Sequence, residues 1–442
     1  MADCIAAPVF INSVLESGKA GPRLVAQTVD IGAIRQIRRH KKSRRGCLGC
    51  KIRKVKLELF HHWDKHTKST LVYPEIWPVI MQQAVHENFL MAAILCTSSM
   101  HLSTFHPQNT WYPQFARRLM PNTISLFRQS LSKPLTKSHS EAIVGAALLV
   151  NYISWFDVSF LDGNTSRVGA LAHDQLLLIS SGIVHAWFQT IPILIEKQSI
   201  FPNAMMHHPR LVIEQTLAKR SNDDTSLFVQ PLMDIWNDRR YQTSGHLAAD
   251  RTVYEPATNG AWRLLQDFES ELVPADDPRR LTGQTCDESQ KLLHYKEKVT
   301  KITKTPLPAN GSPELSDVPP PLQARASFEY IVRRLSPLLR CQAAMSDSSA
   351  ETRSDMAALR DNLEGLIYGF PILCCGPFAD LVQRRDTRAL VLLLHFYRCA
   401  GILLDPKRCW WATARSRIME NLIFKELVVR GVSTGLAEHN YN

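Results

Sequence analysis

Across residues 75–105 the apolar side chains of Ile76, Trp77, Ile80, Met81, Ala84, Val85, Phe89 and Leu90 recur at three- and four-residue intervals, continuing through Ala93, Ile94 and Leu102. That spacing lines one face of a 3.6-residue helix and no face of a strand, so it predicts two packed helices. The same period returns at 115–131, 211–217, 261–272, 328–338 and 389–404. Alternation of β-branched residues never lasts beyond a few positions, so strands are not expected. With 45% hydrophobic residues in 442, the chain can bury a large core, and an all-α fold follows.

Punctuation refines this pattern. His106-Pro107 is expected to end the first block, because the residue before a proline is pushed out of the helical region. Pro121 is expected to kink or split the segment 115–131, with Arg117, Arg118 and Arg128 facing solvent. Ser140 is a natural cap for 141–155, which is apolar almost all round and therefore central. Helical pieces persist at 171–179 and 211–217. The helix at 261–272 runs through Trp262, Leu265 and Phe268, and 389–404 reads as the most apolar helix of all. Six prolines between Pro306 and Pro321, with Gly311 and Ser312, make about 273–325 an exposed linker. Gly18, Gly21, Pro22 and Gly32 break up residues 1–34, which read as a disordered tail. No internal repeat is present.

Charge has one focus. Residues 35–56 hold eleven of the 52 Lys and Arg and no acid, which leaves 41 bases against 41 acids elsewhere. All the net charge therefore sits in 22 residues, a device suited to finding a polyanion such as DNA. Inside this basic arm, Cys47 and Cys50 form a C-x2-C turn, two of the four thiolates a structural zinc ion takes. Cys47, Cys50, His62 and His66 also read C-x2-C-x11-H-x3-H, one residue short of the usual single-finger spacing. Histidines on an ordinary helix is the preferred reading.

The ten cysteines show no disulfide spacing, so a reducing compartment is expected. No secretory signal pattern opens the chain, and the apolar runs at 142–150 and 389–394 stop short of the roughly 20 residues a membrane span needs. Gly431-Val432-Ser433-Thr434-Gly435 matches a nucleophile turn, but only seven residues follow it, too few for the helix, acid and base such a site requires. No phosphate loop, H-E-x-x-H or dinucleotide fingerprint occurs, so an enzyme is not expected. Cys374 and Cys375 read as buried structural thiols. The segment from Tyr368 through Phe370 to Phe378 is a candidate border for an apolar ligand, although helix packing explains the same residues.

Cys47-Leu48-Gly49-Cys50-Lys51-Ile52-Arg53-Lys54-Val55-Lys56, with its basic lead, resembles the opening of the fungal binuclear zinc cluster of transcription regulators. In that family six cysteines bind two zinc ions, and the first three read C-x2-C-x6-C. The third position falls at Leu57. From Leu57-Glu58-Leu59-Phe60-His61-His62-Trp63 onward the chain is similar to the helical regulatory region of the sterol uptake control branch. The similarity runs through His86-Glu87-Asn88-Phe89-Leu90-Met91-Ala92-Ala93-Ile94-Leu95, Ser99-Met100-His101-Leu102 and Ile124-Ser125-Leu126-Phe127-Arg128. It returns in Leu392-Leu393-Leu394-His395-Phe396-Tyr397 and Arg408-Cys409-Trp410-Trp411.

The resemblance implies a nuclear regulator of RNA polymerase II genes, for a secondary-metabolite cluster or for sterol and lipid genes. Its domains are then the tail 1–34, the basic arm 35–56 with a remnant of the zinc cluster, and a helical regulatory domain 57–442. DNA contacts fall to Arg44, Arg45, Lys51, Arg53, Lys54 and Lys56, and metal to Cys47 and Cys50. Further partners are transcription machinery, a second copy in a homodimer, and a sterol-like ligand near Phe370 and Phe378. The last four cysteines, the linker and the dimerising helix of the family are missing. Zinc is then expected only if the cluster is completed elsewhere, and DNA binding is expected to be weakened. The alternative is a regulatory subunit with no DNA site of its own, which senses an apolar ligand or titrates partners.

Overall fold

The structure, a computed structural model, describes residues 48–161, 174–202, 209–219, 226–242, 261, 262, 264, 265, 297, 320–345 and 349–432. Of these, 83% are helical and none lies in a strand, so every buried face must be covered by another helix. The chain divides into Met1–Lys51 and Ile52–Asn442. Only residues 48–51 of the first unit are described, and the tail 1–34 lies outside.

The first half builds α1 (Leu48–His62), a π-helical turn at Trp63–Thr67, α2 (Trp77–Ala84), α3 (Asn88–Phe105), α4 (Trp111–Ser130) and α5 (Lys137–Phe156). After a short α6 (Gln175–Leu178) come α7 (Ser180–Glu196), α8 (Pro209–Ala218) and α9 (Ser226–Asn237). The C-terminal part holds α10 (Pro320–Ala344), α11 (Ala350–Ala358), α12 (Arg360–Leu373), α13 (Pro377–Gln383), α14 (Thr387–Leu403) and α15 (Trp410–Val429). Ala261, Trp262, Leu264 and Leu265 are also helical, whereas Phe268 falls outside the described residues.

Helix α5 is the centre, as its composition requires: every residue from His139 to Trp155 is buried. α2, α3, α7 and α15 all pack on it. Gly145 lets α2 come close, since a Cβ there would lie 2.8 Å from the Cδ1 of Ile80. From α12, the Tyr368 hydroxyl donates to the Leu148 carbonyl at 2.7 Å, and the Tyr368 carbonyl accepts from Asn151 and Trp155 of α5. These bonds satisfy polar groups that burial would otherwise leave without water.

The end of α5 is closed by Arg415 of α15. Its guanidinium donates to the carbonyls of Ser154 and Trp155, in the last turn of α5 where carbonyls lack an intrahelical donor, and of Asp157 just after it. The same group makes two bonds of 2.7 and 2.8 Å to Asp174. Arg415 is 1% exposed and the Asp174 side chain 3%, so the pair is inside the protein. Burial pulls hardest against the charge on Arg415, but Asp174 and Tyr397 together offset it and raise the guanidinium pKa.

Several boundaries differ from the sequence reading. Thr136 caps α5, accepting from the His139 N–H, while Ser140 lies buried within the helix. Pro121 does not split α4: it sits on the exposed side, where water can serve the carbonyl it leaves unpaired. Helix α1 runs unbroken through Lys56 and Leu57, where composition changes sharply. Helix α10 opens at Pro320, and the prolines before it lie outside the described residues. The stretch 389–404 is not the most apolar helix: α7 is more so, and Leu176–Glu196 is the described helix long and apolar enough to cross a bilayer. Half of its apolar window is buried, with α5 and α12 packed on α7.

Candidate nucleic-acid interface

Helix α1 joins the basic sequence to the helical core. Arg44, Arg45 and Cys47 lie outside the described residues, and Cys50, Lys51 and Arg53 belong to the α1 backbone. Lys54 and Lys56 are exposed, as is Leu57 at 70%. The opposite side packs inward: Leu59 joins Leu95 and Leu102 of α3 and Tyr112 of α4, flanked by Val55 and Phe60. Two polar bonds fix the register. The Ser98 hydroxyl donates to the Leu59 carbonyl at 2.6 Å, and the Tyr112 hydroxyl donates to Glu58 at 2.8 Å.

Just beyond, the π-helical turn gathers imidazoles. The His62 ring lies 5.1 Å from His66 and 5.0 Å from His101 of α3, and both His62 and His101 meet Phe105 edge-on. His101 stacks on Trp410 of α15 at 4.7 Å, and its Nδ1 is 3.0 Å from the Thr67 hydroxyl. His62 Nε2 is buried without a hydrogen-bond partner among the described residues. Burial, reinforced by the neighbouring imidazoles, lowers His62 to about 4 and His101 to about 3. Both rings are therefore neutral near pH 7 and serve as packing.

Cys50, a metal ligand implied by the resemblance, and Leu57 both fall within α1. Cys96, Cys341, Cys374, Cys375, Cys399 and Cys409 are buried in the helical core, far from solvent as thiols. Burial pushes Cys375 up to about 12 and Cys96, Cys374, Cys399 and Cys409 upward as well. Among the described residues no group of three ligands is placed to hold a metal.

The other singled-out residues are core groups. Phe370 stacks on Phe396 with ring centroids 4.0 Å apart, and Phe378 is fully buried. Ser433 lies outside the described residues.

Sequence reasoning missed the imidazole cluster. His62 and His66 were visible at a four-residue spacing, but nothing local showed that His101, thirty-five residues after His66, would face them. No protein-family model, curated protein or solved structure matches the chain.

Proposed function

We propose that this chain is a DNA-associated transcription regulator resembling the fungal binuclear zinc cluster family, acting in the nucleus through its basic arm. One observation carries the reading: all the net charge lies in residues 35–56, and that stretch continues into α1, where Lys54 and Lys56 face solvent. Arg44, Arg45, Lys51 and Arg53 complete the cationic set. Without a metal-fixed loop these groups neutralise phosphates and do not read bases, so binding is electrostatic and indifferent to sequence. The helical domain supplies the contacts to transcription machinery or to a second copy.

Fluorescence anisotropy with two unrelated duplexes tests this. The expected dissociation constants are similar for both, about 10⁻⁴ to 10⁻⁶ M, and rise steeply with salt. No binding at low salt overturns the reading. A second reading, a regulatory subunit without a DNA site, is favoured by the missing third cysteine; neutralising the arm then leaves regulation of target genes intact. A zinc titration finding two ions per chain refutes the incomplete cluster. Genomic sequence between the codons for Lys56 and Leu57 is equally direct: four cysteine codons there would restore a complete DNA reader.

A further inference from the structure

Between Glu87 and Glu141 the sequence holds no acidic residue, while Arg117, Arg118, Arg128, Lys133 and Lys137 fall within that interval. All five are exposed, on α4, on the turn after it or, for Lys137, at the first residue of α5. Some surface arginines elsewhere in the protein pair with local acids. Arg333 bonds Glu329, Arg384 bonds Asp380, Arg240 bonds Asp238 and Arg430 bonds Glu426. By contrast, Arg118, Arg128, Lys133 and Lys137 meet no acidic partner among the described residues. A stripe of cations from which acids are excluded is built for an outside anion.

The rest of the outer face of α4 suits a phosphate backbone. Gln114, Asn122, Ser125 and Gln129 are exposed between the arginines, and these side chains supply neutral hydrogen bonds to phosphate oxygens. Tyr112, Ala116 and Phe127 are buried, so the apolar side of α4 is already used. Trp111 and Leu131, at opposite ends of α4, are the exposed large apolar groups that remain, and two separated side chains do not make the continuous apolar face that insertion into a lipid surface needs. From Arg118 to Arg128 the stripe covers about 15 Å of helix axis, the rise of about four phosphates on one DNA strand. Helix α1 is its neighbour through the Tyr112–Glu58 bond and adds the exposed Lys54 and Lys56.

We infer that the outer face of α4 is a second docking surface for duplex DNA, which tracks the phosphate backbone and needs no metal. This rests on the DNA-associated reading above, yet it can fail or stand separately. The stripe belongs to the helical unit and not to residues 35–51, so its binding survives when the arm is neutralised.

The experiment uses the full chain and one duplex, with affinity measured over a range of salt. Four proteins are compared: the wild type, an α4 variant (Arg118→Gln, Arg128→Gln, Lys133→Gln), an arm variant (Arg38, Arg39, Lys41, Lys42, Arg44 and Arg45 all to Gln) and a control with Arg240, Arg333 and Arg384 changed to Gln. Glutamine is a good helix former, and circular dichroism verifies that α4 is retained. Removing three phosphate contacts is expected to make the slope of log affinity against log salt shallower by about 2.7, at about 0.9 per contact. The control, whose arginines are already neutralised by acids, is expected to leave the slope in place. The arm variant is expected to keep a weaker, salt-dependent affinity that disappears when the α4 changes are added.

An α4 variant with the wild-type slope overturns the inference while leaving the arm reading intact. An arm variant that binds like the wild type overturns the arm reading instead. Equal losses in the α4 variant and the control show a mere net-charge effect and overturn the inference. So does α4-dependent binding to phosphatidylserine vesicles with no dependence on α4 for DNA.

Discussion

Acid should loosen the joint between α1, α3 and α15 because His62 and His101 fold as neutral rings. Their folded pKa values, about 4 and about 3, lie below the unfolded value of 6.5. Below that value the unfolded chain binds protons that the folded protein refuses, so stability is full above about pH 6.5 and falls as pH drops. The loss is complete only below the folded values. At about pH 5.0 each ring is still neutral when folded, so each has lost about 1.5 pH units at 1.36 kcal/mol per unit, or about 2 kcal/mol. Together the two rings should lower the unfolding free energy by about 4 kcal/mol between about pH 7.5 and 5.0. His395 of α14, also lowered to about 4 by burial, adds a background common to all variants. Urea unfolding at the two pH values measures the difference. His101→Asn and His62→Gln should each shrink the pH-dependent loss by about 2 kcal/mol, whatever they do to stability at pH 7.5. A variant that loses as much stability as the wild type over this range would show that the cluster is not buried as a neutral group.

Three further outcomes follow from the core. Arg415→Met strips Asp174 and three carbonyls at and just after the end of α5 of their donor, and should destabilise by about 3–5 kcal/mol, read from denaturant unfolding. Adding Asp174→Asn should cost less than its own single effect, because the orphaned charge is gone; simple additivity would refute the coupling. Gly145→Ala should lower the melting temperature, since its Cβ meets the buried Ile80 at 2.8 Å. Gly369→Ala in α12, with nothing within 4 Å, should instead stabilise by about 0.5–1 kcal/mol, and the two variants measured side by side check the packing of α2 on α5.

Local chemistry made much of the architecture legible. The helical period marked α2, α3, α8, α10 and α14, the all-round apolar run identified α5 as central, and His106-Pro107 ended α3 where expected. The misread cap shows the limit: Thr136 and Ser140 are both good capping types, and only the backbone path decides which one precedes the first turn. Pro121 was read as a break because the sequence does not say which side of α4 faces water.

By itself the sequence determined the helical class, the concentration of net charge before Leu57, and the presence of Leu57 where the C-x2-C-x6-C pattern has its third cysteine. These depend on residue type and near spacing, which are local properties. Tertiary structure alone decided that Arg415 meets Asp174, 241 positions away, and that His62 and His66 gather with His101. Periodicity reports that a face is buried; which element buries it is settled by the packing of distant helices, and charge pairing depends on that choice.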